Sequence, residues 1–142
     1  MCWALSKSAY IALGSNLGDS VANIRSAFED LEYLSQTPVR RSSLWRSTPT
    51  DCPPGSPDFI NAAVAIEPLV GETPESLLDK LQALEIGAGR QPKVVMNEPR
   101  PLDLDIIAFG MEQHSSPRLT IPHPRLHERS FVLEPLAEIA PE

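Results

Sequence analysis

The sequence predicts an α+β fold of the ferredoxin-like class, a sandwich whose antiparallel sheet carries its helices on one face. Two observations lead there. Apolar residues alternate or run together in four short strand-like segments, and two segments with helical spacing interrupt them in the order strand, helix, strand, strand, helix, strand. The length of 142 residues fits one domain, 1–142, and a chain of this size buries roughly two thirds of the surface its unfolded form exposes. No internal repeat, heptad pattern or low-complexity tract competes with that reading.

"AYIALGSN" reads as a buried strand running into a glycine turn. Asp19 or Ser20 supplies a cap for the helix that follows, whose stripe is Val21, Ile24, Phe28, Leu31 and Leu34, ending at Thr37 and Pro38. "VRRSSLWRS" is the next strand. "TPTDCPPGSPD" holds four prolines and a glycine in eleven residues and is therefore a loop. "FINAAVAIE" alternates, with Phe59 and Asn61 on one face and Ile60, Ala62, Val64 and Ile66 on the other. Thr73 caps a second helix with Pro74 at its first position, a stripe of Leu77, Leu81 and Leu84, and an end at Gly87. "LDLDIIAF" is the last strand of the sheet, followed by a turn at Gly110 and a helix-like tail from about Leu126 to Ile139. The sheet face away from the helices is left for a site.

Composition excludes several classes of function. The formal charge of −7 lacks the basic footprint a nucleic-acid binder uses to displace counterions. "MCWALSKSAYIALGSN" is interrupted by Ser6, Lys7 and Ser8 before any signal-length apolar run, and no window reaches membrane-spanning length. Cys2 and Cys52 form no metal or disulfide spacing, so two reduced thiols in a cytoplasmic protein are expected. Within the acidic whole, the segment from Gly87 to Pro101 carries Arg90, Lys93 and Arg100 against Glu98 alone. Such an island suits a small anionic ligand, although an ordinary solvated loop has the same composition.

Asp103 and Asp105 lie two residues apart on an apolar strand, so both carboxylates project from one face. Like charges held together are costly unless water or a cation separates them. Mg2+ takes near-octahedral oxygen ligands, keeps several waters, and is held by one or two carboxylates together with substrate phosphates. A strand-borne D-x-D beside an arginine loop meets that need. Taken alone, the pair is equally compatible with charges that discourage strand pairing at an edge. Asn61 needs partners wherever it is buried: the edge of a nitrogen heterocycle stacked on Phe59 would supply them, and so would backbone in the neighbouring loop. His123 stands between two prolines in "TIPHPRLHERSF", fixed for a ligand contact or simply for a turn, with Arg125 and Arg129 adding positive charge. His123 and His127 are four apart, but no third ligand makes a zinc site. "GSNLGD" matches neither a P-loop nor a dinucleotide fingerprint and reads as strand-to-helix turn chemistry, with a ligand role left open.

The segments "YIALGSNLGD", "PDFINAAVAIE", "PRPLDLDIIAFG" and "LTIPHPRLHERSFVLEPLAEIAPE" together resemble the 6-hydroxymethyl-7,8-dihydropterin pyrophosphokinases of folate biosynthesis, in order from about Tyr10 to Glu142. The resemblance implies transfer of a pyrophosphoryl group from ATP to the pterin hydroxymethyl oxygen, with release of AMP and with two Mg2+ ions as cofactor. Carried over, Asp103 and Asp105 bind the metals, and Arg90 and Arg100 close on the triphosphate as catalytic residues. Thr48, Pro49, Phe59, Asn61 and Phe131 would bind the pterin, with Phe59 and Phe131 on its two faces. Glu85, Arg90, Arg100, Ile106, His123 and Arg129 would bind ATP. The partners implied are these small molecules, with no nucleic acid or membrane, for a monomer.

The chain departs from the family pattern in four places. Pro92 stands where many members have a second arginine, and Asn97 where they have tryptophan. "WRSTPT" is shifted by about one residue against the usual Y-x-T-x-P, and the chain ends at "EIAPE", where relatives usually continue. Two rival readings remain: a ligand-binding regulatory module on the same fold, and metal-dependent hydrolysis of a phosphate ester by the D-x-D. The first would not need a metal dyad beside an arginine loop; the second would require a positioned water in place of a pterin pocket.

Overall fold

The computed structural model describes residues 8–47, 55, 57–89, 101–110, 113–121 and 130–139. Strand β1 (Ala9–Ser15) is central and antiparallel to β4 (Phe59–Ile66) on one side and β5 (Asp103–Phe109) on the other. The far side of β4 pairs with β2 (Arg40–Arg41) and β3 (Trp45–Ser47). Helix α1 (Ser20–Glu32) connects β1 to β2, and α2 (Pro74–Gly87) connects β4 to β5. This is the expected ferredoxin-like antiparallel sheet.

The core lies between the sheet and these two helices. Ile11 and Leu13 of β1, Ala62, Val64 and Ile66 of β4, and Leu104 and Ile106 of β5 meet Ile24, Phe28 and Leu31 of α1 and Leu77 and Leu81 of α2. Period two along each strand therefore sends Asn61, Gly14, Asp103 and Asp105 to the opposite face. Asp19 caps α1, accepting from the Ala22 N–H at 3.1 Å. Thr73 caps α2 in a reciprocal box with Ser76, with Pro74 in the first turn.

The structure corrects or adds to the sequence reading at four points. "VRRSSLWRS" is two short strands, because the Ser42 hydroxyl accepts from the Ala63 N–H at 2.8 Å, where a regular ladder would place a backbone carbonyl. Helix α2 ends at Gly87 as expected, and the left-handed glycine beyond it is Gly89, at φ +103°. A hairpin of β6 (His114–Ser115) and β7 (Thr120–Ile121) lies between the turn at Gly110 and the tail helix, where the sequence suggested no element. Finally, α3 (Ser130–Ile139) lies on the sheet face opposite α1 and α2. There Leu136 packs against Tyr10, Ala12 and Ile107, and Ile139 packs with Ala63 and Ala65. The alanines let α3 approach closely, so the second face is not wholly free for a site.

Candidate active site

The site is organised by a rung of the sheet. Gly14 pairs with Asn61 on one side and with Asp103 on the other, and one step along β1, Ala12 pairs with Ala63 and Asp105. Two interstrand steps place Asn61 and Asp103 about 10 Å apart at Cα. A Cβ built on Gly14 would lie 3.5 Å from Asn61 Oδ1 and 3.5 Å from Phe59 Cδ1. Glycine at this position keeps side-chain bulk out of the space between the amide and the aspartates.

Asn61 is only 4 % exposed. Its Nδ2 donates to Ser47 Oγ at 2.7 Å and to the Trp45 carbonyl at 3.5 Å, both on β3. The ordinary alternative placed these partners on backbone of the neighbouring loop; they lie instead on strand β3, chiefly on the Ser47 side chain, and fix the amide so that Oδ1 lies beside Gly14 and Phe59. Asn16, also buried, donates to the Pro57 carbonyl at 3.3 Å and ties the glycine turn to the entry of β4.

Asp103 and Asp105 are half-buried on β5, on the same face as Asn61, and each takes part in further interactions. No group of three or more His, Cys, Asp or Glu assembles as a metal site among the described residues. Glu85 reaches this strand from α2: it is 6 % exposed and accepts the Leu104 N–H at 2.7 Å. Among the described residues β5 is an edge strand, and Leu104 N–H points away from β1. Ile106, two residues on, turns its backbone groups the same way while its side chain is only 2 % exposed in the core. Any contact of Ile106 with a ligand is thus a backbone contact.

On the other side of Asn61, Glu138 of α3 holds β3. Its carboxylate accepts from Ser43 N–H at 3.2 Å, Ser43 Oγ–H at 2.5 Å and Trp45 Nε1–H at 2.5 Å. The Ser43 hydroxyl, then the Trp45 indole, hold the Glu138 carboxyl below the ordinary glutamate range, outweighing a small opposing desolvation.

Of the residues singled out in the sequence, the fold brings Phe59, Asn61, Asp103 and Asp105 to one face and Glu85 and Ile106 to the outer edge of β5. Thr48, Pro49, Arg90, Arg100, His123 and Arg129 lie outside the described residues, as do Pro92 and Asn97. Phe131 belongs to the first turn of α3. Sequence reasoning missed Gly14, Trp45, Ser47 and Glu138. Only the cross-strand register reveals the first three, and a lone glutamate near the end of an amphipathic helix carries no signal of its own.

Residues 10–141 match the family model described as 7,8-dihydro-6-hydroxymethylpterin-pyrophosphokinase. A 2-amino-4-hydroxy-6-hydroxymethyldihydropteridine pyrophosphokinase of Haemophilus influenzae is 44 % identical over 134 residues, covering 94 % of this chain and 81 % of the relative. One of the same name from Synechocystis is 41 % identical, covering 94 % of this chain and 67 % of the relative. The mitochondrial folate synthesis bifunctional protein of Arabidopsis thaliana is 41 % identical over 129 residues, covering 91 % of this chain but only 23 % of that protein. With a family model matching nearly its whole length, the chain belongs to the 7,8-dihydro-6-hydroxymethylpterin-pyrophosphokinase family.

Proposed function

We propose that this chain transfers a pyrophosphoryl group from ATP to the hydroxymethyl oxygen of 6-hydroxymethyl-7,8-dihydropterin, forming AMP and the pterin diphosphate. The observation that carries this reading is the shared rung: a buried amide suited to a heterocycle and a carboxylate suited to a metal–phosphate group, one strand apart on each side of Gly14. The pterin oxygen forms a bond to the β-phosphorus and loses its proton. The bond from that phosphorus to the α–β bridging oxygen breaks, and AMP departs with the oxygen.

Asp103 and Asp105 offer hard oxygen donors on one strand face, which fits Mg2+. Two ions are proposed, with phosphate oxygens and water completing their coordination. Mg2+ bound there would neutralise the triphosphate and orient it. Arg90 and Arg100 would add positive charge where the transferring group becomes more negative, because such reactions depend on positioning and charge neutralisation more than on covalent help. Asn61 would bond the pterin edge while Phe59 and Phe131 stack on its two faces, with Thr48 and Pro49 at the rim. Glu85, His123, Arg129 and the Ile106 backbone would meet ATP. The protein would act as a cytoplasmic monomer on these small molecules, without nucleic acid.

Product identity tests the reading. Incubation with ATP, Mg2+ and the dihydropterin should give AMP and a pterin two phosphate units heavier by mass spectrometry. ADP with a pterin monophosphate would contradict it.

A further inference from the structure

Strand β3 is three residues long and carries both ends of a hydrogen-bond relay. At Trp45 its indole N–H is held by Glu138 of α3, and at Ser47 its hydroxyl accepts from the Asn61 amide. Among the described residues the backbone of β3 pairs only with β4, through Trp45↔Asn61, Arg46↔Ile60 and Ser47↔Phe59. So short an edge strand gains little from the ladder alone. Glu138 adds three hydrogen bonds across the gap to α3, two from Ser43 and one from Trp45, although Glu138 itself is exposed. A carboxylate only accepts, and an indole N–H only donates, so a neutral amide at position 138 would turn its own N–H₂ toward one of these donors.

We propose that Glu138 is a positioning residue for the pterin pocket: by holding Ser43 and Trp45 it fixes β3, and β3 through Ser47 fixes the orientation of the Asn61 amide. This rests on the reading that Asn61 meets the pterin. α3 retains its apolar contacts through Leu136 and Ile139 without Glu138, so the fold survives the loss while the amide becomes free to reorient. The aspartate pair lies on the other side of Gly14, on β5, and is not part of the relay.

The wild-type protein is assayed first, with 6-hydroxymethyl-7,8-dihydropterin and ATP varied separately. Glu138→Gln should then raise KM for the pterin roughly tenfold while kcat and KM for ATP stay within about twofold. Ser47→Ala should reproduce the same split. Glu138→Asp, which keeps the charge, should recover part of the lost pterin affinity. An unchanged pterin KM in folded Glu138→Gln overturns the proposal, as does an equal rise in both KM values that tracks a loss of folded protein. If Glu138→Gln does not fold, Trp45→Phe decides, since it removes the indole donor, keeps an aromatic ring there and leaves Glu138 in place: a raised pterin KM supports the relay, and an unchanged one overturns it. Absence of pterin-dependent turnover in the wild type overturns the reaction as well, whereas an active wild type with indifferent variants overturns the relay alone.

Discussion

Asn61 and Asp103 stand on one rung of the sheet, each paired through its backbone with Gly14. Because β1 is sandwiched between the strands that carry them, their separation is set by sheet geometry, about 10 Å, and not by loop conformation. A rigid element thus fixes the distance between the amide proposed to bind the heterocycle and the carboxylate proposed to bind the metal. Proximity of this kind is a main source of rate when two substrates must be aligned.

Gly14 tests that arrangement. In Gly14→Ala the new Cβ makes ordinary contacts of 3.5 Å, so stability should change by no more than about 1 kcal/mol. Gly14→Val presses branched bulk against the Asn61 amide and the Phe59 ring, at a cost of about 1 to 3 kcal/mol, and should raise the pterin KM more than the ATP KM. Thermal unfolding and substrate titration measure the two effects separately.

Asp105→Ala should leave the fold in place, since the side chain is only half-buried, and lower kcat at least about 100-fold. The check is a rate measured across a Mg2+ titration. Full turnover by the variant at limiting Mg2+ would remove the metal assignment.

Glu85→Ala takes the acceptor away from the Leu104 N–H in a buried place. A loss of about 1 to 3 kcal/mol in urea unfolding is expected. Since this carboxylate braces the strand between the two aspartates, the Mg2+ dependence of the rate should shift as well.

Acid should loosen the contact of α3 with β3. The Glu138 carboxyl is held below its ordinary range in the folded protein, first by Ser43 and then by Trp45. Its stabilising contribution is therefore fully present above the unfolded pKa, about 4.3, and is lost as pH falls through the lower folded value. The gap in Tm between wild type and Glu138→Gln should narrow over that range. A gap that widens in acid would contradict the assignment.

The alternation of "FINAAVAIE" and "LDLDIIAF" was enough to place Asn61 and the aspartates on faces of their own strands, because period two needs no knowledge of the partner strand. Their sharing of a rung depends on register, which arises from long-range pairing with β1 and leaves no local trace. The break between β2 and β3 was hidden for a related reason: Ser42 replaces a ladder bond with its side chain, and its neighbours still look strand-like. The same holds for α3. Its apolar spacing announced a helix, but the choice of sheet face follows from the alanines of β1 and β4 that it covers.

The most direct test of the account is the release of AMP from ATP and Mg2+ by the intact protein, measured with and without 6-hydroxymethyl-7,8-dihydropterin. The account predicts AMP only when the pterin is present, and its loss in Asp105→Ala. AMP formed equally without the pterin, or none from folded protein under either condition, would contradict it.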